Sequence, residues 1–191
     1  MSISPTSAEF FETMYAERED PWEFASSQYE RDRYATIVRA LNNRRYHCAF
    51  EPGCSIGILT AQLARFCDRV EALDISPTAV ARARTRCERL PNVQILCGSL
   101  SEMIPDEEID LVVFSEIGYY FTEAQLSSVA TGLVRRMVPK GTFLAVHWLG
   151  SSQDHVLDGD GVHDILKTLP NLGLVQSERY SGFRLDRWTI E

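Results

Sequence analysis

The feature that most constrains the fold of this chain is the alternation of short apolar segments with longer segments of helical period. In the longer segments, apolar residues recur every three to four positions, which indicates amphipathic helices. The five strand candidates are residues 46–51, 70–74, 92–97, 109–115 and 142–148. Strands that alternate with helices predict βαβ units, in which a parallel sheet lies between two layers of helices. A ligand crevice is then expected at the carboxyl ends of the strands.

Local signals mark the ends of several elements. Ser76-Pro77 predicts a helix start, with Ser as the N-cap and Pro in the first turn. Thr122-x-x-Gln125 is a capping-box pattern that begins another helix, and Pro139-Lys-Gly141 is expected to end it. Residues 174–180 and 184–190 predict a closing hairpin. Together these patterns predict a doubly wound, Rossmann-like α/β fold: a seven-stranded, mostly parallel sheet with helices on both faces and an antiparallel C-terminal hairpin strand.

The chain of 191 residues has the length of one domain, which we expect to span residues 1–191. Residues 1–45 precede the first strand candidate and are rich in aromatic and acidic side chains. We expect one or two short helices broken at Asp20-Pro21, followed by a helix from Arg31. The first 45 residues are therefore interpreted as a helical cap or lid, and residues 46–191 as the Rossmann-like core.

Charge and composition argue against several classes of function. The chain has 27 acidic and 19 basic residues, a net charge of −8, which disfavours general affinity for nucleic acid or anionic lipid. The N-terminus lacks a signal-peptide pattern, and no apolar run is long enough to span a bilayer. The five cysteines show no C-x-x-C spacing, so we expect no disulfide framework, no structural zinc and a cytoplasmic protein. One arginine-rich segment is expected to be a solvated helix face: Arg82, Arg84, Arg86 and Arg89.

A group of histidines and acids near the C-terminus resembles a metal cluster only loosely. Its members are His155, His163, Asp154, Asp158 and Asp160. The surrounding polar composition is more typical of a loop that forms a mobile flap, so no metal is expected.

The segment most informative about function is Glu51-Pro-Gly-Cys-Ser-Ile-Gly57, which follows the first strand and begins a helix. Gly53 and Gly57 allow a tight turn and a close approach of the backbone to a ligand, and the helix N-terminus offers unpaired N–H groups. Asp74 ends the next strand, 74 − 53 = 21 residues after the first glycine. An acid at this place accepts the hydroxyls of a ribose. The arrangement predicts a nucleoside-containing ligand; the alternative is a tight turn with a solvated Asp.

Two ligands fit this arrangement, NAD and S-adenosylmethionine. A dinucleotide fingerprint has a glycine where this chain has Ser55. Glu51 would repel a pyrophosphate but suits the sulfonium and ammonium groups of S-adenosylmethionine. An NAD-dependent oxidoreductase, or a nucleotide-binding module without chemistry, is the alternative. At this segment the chain resembles the class I S-adenosylmethionine-dependent methyltransferases, whose first motif is E/D-x-G-x-x-x-G, over about residues 46–148.

The resemblance implies a set of cofactor-binding residues. The first motif would hold the methionine moiety, Asp74 would bind the ribose, and Ile75 would pack against adenine. Ser99 stands where the family usually has an Asp that meets the adenine amino group. The further positions carried over from the family are Glu51, Gly53, Cys54, Ser55 and Gly57 in the first motif, Gly98 and Leu100 after the third strand, and Ser115 at the end of the fourth.

A more specific resemblance is to the nodulation protein S family, the N-methyltransferases of Nod-factor synthesis. Its motifs correspond to Asp20-Pro-Trp22, Tyr29–Tyr34, Glu51–Gly57, Ser115–Tyr120 and His147-Trp148. The family implies methylation of the free amine at the non-reducing end of a deacetylated chitooligosaccharide. It also makes Trp22 a candidate cofactor contact. Arg31 becomes a candidate for the methionine carboxylate, because a basic side chain at a helix start opposes the macrodipole; the alternative is a surface ion pair with Glu30 or Asp32.

The catalytic candidates lie after the fourth and fifth strands. Glu116 is the first candidate for orienting the amine and accepting its proton, and His147 is the second. The alternatives are a Glu116 that only bonds a backbone N–H and a His147 that is a satisfied histidine in the cleft wall. The substrate candidates are Tyr119, Tyr120, Trp148 and Asp154. Another O- or N-acceptor remains an alternative to the amino sugar.

Overall fold

A seven-stranded sheet forms the centre of the computed structural model, which describes residues 7–106 and 108–191. Its strands lie in the order β3-β2-β1-β4-β5-β7-β6. Strands β1 to β5 are parallel, and β7 runs antiparallel to both of its neighbours. The predicted mostly parallel sheet with an antiparallel C-terminal hairpin strand is confirmed. The strands are β1 (Tyr46–Pro52), β2 (Cys67–Asp74), β3 (Val93–Cys97), β4 (Ile109–Ser115), β5 (Met137–Trp148), β6 (Leu172–Arg179) and β7 (Phe183–Ile190).

Helices cover both faces of the sheet because successive side chains of its central strands point to opposite sides. On β4, Val112 and Phe114 pack in one apolar cluster with α5 and α6, and Leu111 and Val113 pack in another with α2 and α3. Within the described ranges, no helix has the length and hydropathy needed to cross a membrane. The helices are α1 (Ala8–Glu17), α2 (Gln28–Ala40), α3 (Ile58–Leu63), α4 (Pro77–Cys87), α5 (Glu123–Arg136) and α6 (Gly159–Lys167), with a 3-10 turn at Gly118–Tyr120.

Two predicted helix starts are confirmed. The Ser76 hydroxyl accepts a hydrogen bond from the backbone N–H of Ala79 at 3.1 Å. Thr122 and Gln125 form both hydrogen bonds of a capping box. Residues 1–6, which belong to the predicted lid and carry the N-terminal sequence judged not to be a signal peptide, lie outside the described residues.

The predicted break at Pro139-Lys-Gly141 is wrong, because β5 begins at Met137 and runs through it. Lys140 has a φ of 64°, and the pairing with β4 shifts register between Ile109 and Leu111. This irregularity is a bulge, where a proline is tolerated because one backbone N–H is left unpaired. These residues therefore bend the strand instead of ending the preceding helix, which already stops at Arg136.

Of the arginines predicted to form a solvated helix face, Arg84, Arg86 and Arg89 are exposed, but Arg82 is half-buried, and Arg89 lies beyond the end of α4. Arg82 donates to three backbone carbonyls at the C-terminal end of α1 at 2.9–3.1 Å. Arg84 donates to the carbonyl of residue 95 at 2.8 Å, and Arg86 to that of residue 56 at 2.9 Å. The last carbonyls of a helix lack intrahelical partners, so Arg82 caps α1 and ties it to α4.

Candidate functional site

A cavity of about 1270 Å³ opens at the carboxyl ends of the parallel strands, as predicted. Its lining brings together most of the predicted site residues. The predicted cofactor-binding residues in the lining are Trp22, Gly53, Ser55, Asp74, Ile75, Gly98, Ser99 and Leu100. The predicted catalytic and substrate-binding residues in the lining are Glu116, Tyr119, Tyr120, Trp148 and Asp154. A smaller void of about 30 Å³ lies beside the glycine turn and is bordered by Glu51, Cys54 and Ser115.

The glycine turn has two glycines with different surroundings. Gly53 has a φ of 75° and lines the cavity; a Cβ there would lie 2.1 Å from Cγ2 of Ile117. Gly57 has a φ of 78° and precedes α3, where a Cβ would lie 3.1 Å from Cα of Ala83. Gly57 is not part of the cavity lining. The structure therefore gives Gly57 a role in packing the turn against α4, whereas Gly53 faces the cavity.

Asp74 ends β2 with its carboxylate held by backbone donors. Oδ2 accepts from the N–H of Ser55 at 2.7 Å, and Oδ1 accepts from the N–H of Ser76 at 3.0 Å. Burial raises the pKa of Asp74 to about 6, although these two hydrogen bonds oppose the shift. Each oxygen keeps a second lone pair, so the carboxylate can still accept ribose hydroxyls. The hydroxyl of Tyr15, on α1, donates to Oγ of Ser55 at 2.5 Å and brings α1 to this end of the cavity.

Glu51 is a buried carboxyl with one unsatisfied oxygen. Only 3% of the residue is exposed, and its Oε2 has no hydrogen-bond partner among the described residues. Burial raises its pKa to about 8, and the nearby charge of Asp74 adds to the shift. Buried polar atoms without a hydrogen-bond partner in the protein are usually satisfied by a ligand or by ordered water. A cationic group at the glycine turn would supply one, and S-adenosylmethionine carries an ammonium there, so the residues present fit this ligand.

Arg33 lies in α2 between two carboxylates. Its side chain is 1% exposed, its Nη1 lies 2.6 Å from Oε2 of Glu116, and it also pairs with Glu30. Burial raises the pKa of Glu30 to about 7, although Arg33 opposes the shift. Glu116 further accepts from the Tyr119 hydroxyl at 2.8 Å and from the Trp148 N–H at 2.7 Å. Two hydrogen-bond donors and one cation, from three parts of the chain, thus fix this carboxylate at the cavity.

The structure does not bring Arg31 to the cavity. Its guanidinium donates to the carbonyl of Ser26 at 2.7 Å and to Oε1 of Gln28 at 2.9 Å, at an exposed position. The buried cation is two positions further on, at Arg33. A helical signal could have found it, because positions 30, 33 and 37 share the buried face of α2, whereas position 31 falls on the other side.

His147 is also absent from the cavity lining. The residue is 0% exposed, its Nε2 accepts from the N–H of Gly118 at 3.0 Å, and its Nδ1 lies 3.2 Å from Nε2 of His163. Burial lowers its pKa well below the ordinary value, with the charge of Arg33 and His163 adding to the shift. The geometry supports the alternative interpretation, a satisfied histidine, and not a proton acceptor for the substrate.

The acceptor end of the cavity contains residues that the sequence did not single out as site residues. The His155 ring stacks on Tyr119, with centroids 3.8 Å apart, and lies edge-on to Tyr120 and Trp148. Burial lowers the pKa of His155, against the opposing charges of nearby carboxylates. Phe11 and Tyr15 of α1 also line the cavity. No local pattern signals the docking of α1, because it depends on contacts distant in the chain.

The histidines and acids that loosely resemble a metal cluster in the sequence are dispersed in the structure. His163 lies in the core with its Nδ1 2.8 Å from Oδ2 of Asp186, whereas His155 is in the cavity wall. Asp158 caps α6, and Asp160 pairs with Arg179. Over residues 7–106 and 108–191, no three His, Cys, Asp or Glu side chains converge in a way that could hold a metal ion.

Comparison with known proteins places this chain in a family. The family model described as Nodulation protein S matches residues 9–166. The chain belongs to the nodulation protein S family. Nodulation protein S of Bradyrhizobium diazoefficiens is 28% identical over 140 residues, which cover 72% of this chain and 65% of that protein. The match therefore spans slightly less than two thirds of that relative's length.

Solved structures agree with this assignment. The N-methyltransferase NodS from Bradyrhizobium japonicum WM9, in complex with S-adenosyl-L-homocysteine, superposes with a TM-score of 0.86 at 24% identity, over 98% of this chain and 99% of that chain. A protein of Pseudomonas syringae assigned to the methyltransferases is 34% identical with a TM-score of 0.76, over 85% of this chain and 99% of that chain. The chain therefore has the family and the fold that the sequence predicted.

Proposed function

We propose that this chain transfers a methyl group from S-adenosylmethionine to the free amine of the terminal glucosamine in a deacetylated chitooligosaccharide. The observation that carries the proposal is Glu116, a fixed carboxylate at the cavity between the cofactor candidates and an aromatic wall. Family membership supports it, since the relative from Bradyrhizobium japonicum is an N-methyltransferase.

The cofactor end of the cavity suits a nucleoside joined to a zwitterionic side chain. Asp74 accepts the ribose hydroxyls, and the turn at Gly53 lets the backbone approach the methionine moiety. Glu51, whose Oε2 has no partner among the described residues, faces the ammonium. Arg33 borders the same small void and has an Nε without a hydrogen-bond partner there, so it replaces Arg31 as the candidate cation for the carboxylate.

When bound, S-adenosylmethionine supplies an electrophilic methyl group on a sulfonium sulfur. The amine nitrogen forms a bond to the methyl carbon as the carbon–sulfur bond breaks, and the resulting ammonium loses a proton to solvent. The protein contributes mainly alignment of nitrogen, carbon and sulfur. Glu116 orients the amine by accepting one N–H, and its charge stabilises the positive charge that develops on nitrogen. With two hydrogen-bond donors and the Arg33 cation already at its oxygens, this carboxylate is better suited to orientation than to proton removal.

The acceptor end suits a sugar ring. Ligand sites combine apolar and aromatic walls with a few placed polar groups. Here Tyr120, Trp148 and His155 form the wall, and Asp154 and Glu116 supply acceptors for hydroxyl or amine hydrogens. The two carboxylates also favour an acceptor that carries protonatable amines, as a deacetylated chitooligosaccharide does.

The test is incubation with S-adenosylmethionine and a chitooligosaccharide whose only free amine is at the non-reducing end. Mass spectrometry with fragmentation should locate one added methyl on that amine, and the fully N-acetylated oligosaccharide of the same length should gain none. Glu116→Gln should lower kcat by about 10- to 100-fold, the range expected for one oriented electrostatic contact. Methylation of a phenol or carboxylate, with none on the amino sugar, would overturn the substrate. Calorimetric binding of NAD without binding of S-adenosylhomocysteine would overturn the reaction.

A further inference from the structure

Three buried side chains form a chain of hydrogen bonds behind the acceptor end of the cavity. Asp186 Oδ2 lies 2.8 Å from His163 Nδ1, and His163 Nε2 lies 3.2 Å from His147 Nδ1. His147 Nε2 then accepts from the backbone N–H of Gly118 at 3.0 Å. The three side chains are at most 1% exposed. The chain thus joins β7, α6 and β5 to the 3-10 turn after β4.

The positions of the protons in this chain follow from its last member. A backbone N–H can only donate, so His147 Nε2 carries no proton, and the neutral ring holds its proton on Nδ1. That proton is donated to His163 Nε2, so His163 also carries its proton on Nδ1 and donates it to Asp186. Burial lowers the pKa of His147. Burial opposes the ionisation of Asp186, yet hydrogen bonds from His163 and Ser177 lower its pKa. Both shifts agree with a neutral His147 and an ionised Asp186.

The turn held by this chain carries the wall of the acceptor site. A Cβ on Gly118 would lie 2.8 Å from His147 Nε2 and 2.4 Å from Val162 Cγ1, so the turn packs closely on these side chains. Tyr119, in the same turn, donates from its hydroxyl to Glu116. Its backbone carbonyl also accepts from the N–H groups of residues 156 and 157 at 2.8 and 3.1 Å, which lie directly after His155. Displacement of the turn would move Tyr119 and the loop that carries His155.

We infer that Asp186, His163 and His147 are positioning residues, which fix the tautomer of His147 so that the turn at Gly118–Tyr120 holds the acceptor wall in place. If Nε2 of His147 carried a proton, it could not accept from the Gly118 N–H, and the repulsion between the two N–H groups would displace the turn. The effect on catalysis rests on the proposed function, whereas the tautomers do not.

The first test is NMR of ¹⁵N-histidine-labelled protein saturated with S-adenosylhomocysteine. The chain has four histidines, and His163→Gln removes one set of signals and assigns it. We expect both His147 and His163 to be neutral and protonated on Nδ1 near pH 7. A His147 protonated on Nε2, or on both nitrogens, would overturn the inference. This measurement needs no acceptor, so it decides the tautomer even if the amino sugar is not methylated.

The second test compares His163→Leu with His163→Gln. Leucine leaves the Nδ1–H of His147 without an acceptor, whereas the glutamine amide oxygen can accept it. We expect kcat to fall about tenfold in the leucine variant and to recover at least half of that loss in the glutamine variant. The calorimetric affinity for S-adenosylhomocysteine should change by less than about twofold in both, because the cofactor residues are untouched. Equal losses in the two variants, or a wild-type kcat in the leucine variant, would contradict the positioning role. If the leucine variant does not fold, the same comparison is made with Asp186→Asn, whose amide oxygen can still accept from His163 and which should retain kcat within about threefold.

Discussion

Replacement of Arg33 by methionine should destabilise the protein in a pH-dependent manner. The guanidinium is buried between Glu30 and Glu116, and Met has a similar apolar stem without the charge. The substitution leaves two buried carboxylates without their cation. Removing one partner of a buried ion pair costs about 3–5 kcal/mol. For a chain of this size, that loss lowers Tm by about 6–20 °C, at about 2–4 °C per kcal/mol.

The pH dependence of this loss has a definite sign. With Arg33 present, burial already raises the pKa of Glu30 to about 7. Without Arg33, whose charge opposes the effect of burial, the pKa of Glu30 rises further, so the folded state retains a proton that the unfolded state has released. An acid with a raised folded-state pKa loses its stabilising contribution as pH rises. The free energy of unfolding that Arg33→Met loses should therefore be larger at pH 8 than at pH 5. The difference should be at least about 1 kcal/mol, which corresponds to a shift of roughly one pKa unit.

Urea unfolding followed by circular dichroism at pH 5 and pH 8 measures both quantities. The matched control is Arg31→Met, on the same helix, where the arginine is exposed and donates to Ser26 and Gln28. This substitution should lower the free energy of unfolding by less than about 0.5 kcal/mol at either pH. The ion-pair reasoning is refuted if the free energies of unfolding of Arg33→Met and Arg31→Met differ by less than about 1 kcal/mol at pH 8. It is also refuted if the stability lost in Arg33→Met grows as the pH falls. S-Adenosylhomocysteine titrations of the two variants also show which arginine supports the cofactor.

Three further outcomes follow from the site. The affinity for S-adenosylhomocysteine should rise with pH between about 5 and 7, because Asp74, with a pKa of about 6, accepts ribose hydroxyls best when ionised; Asp74→Asn should flatten this calorimetric profile. Arg82→Ala leaves three carbonyls at the end of α1 without this donor, so the amide hydrogens of α1 should exchange about tenfold faster, as for a loss of about 1.4 kcal/mol. The control Arg89→Ala should leave these exchange rates unchanged. Gly57→Ala places a Cβ 3.1 Å from Cα of Ala83 at a φ of 78° and should cost about 1–3 kcal/mol in urea unfolding; an unchanged midpoint would mean that the turn relaxes freely.

The elements of the fold were largely predictable because they follow from local chemistry. Apolar periodicity identified the strands, and the caps at Ser76 and Thr122 depend on residues three positions away. The segment at Pro139–Gly141 was misjudged because its conformation is decided by pairing with β4, about thirty residues earlier in the chain. A bulge of this kind has no local signature that separates it from a turn.

The candidate site was predictable to the extent that strand ends define it. Residues after parallel strands meet at one edge of the sheet, so Asp74, Glu116 and Trp148 were expected near one another and line one cavity. The hydrogen bond from Tyr15 to Ser55 spans 40 positions, and no periodicity reveals such a contact. The burial of His147 depends likewise on His163 and on β7.

The two ends of the cavity are contributed by different stretches of the chain. Residues 53, 55, 74–75 and 98–100 line one end, whereas much of the opposite wall comes from residues 119 and 120 and from residues 151, 152, 154 and 155 in the loop between β5 and α6. That loop lies between β5 and α6, apart in sequence from the residues at the other end. Exchange of the loop residues can thus change one end of the cavity, while the residues of the glycine turn and of the end of β2 stay unchanged.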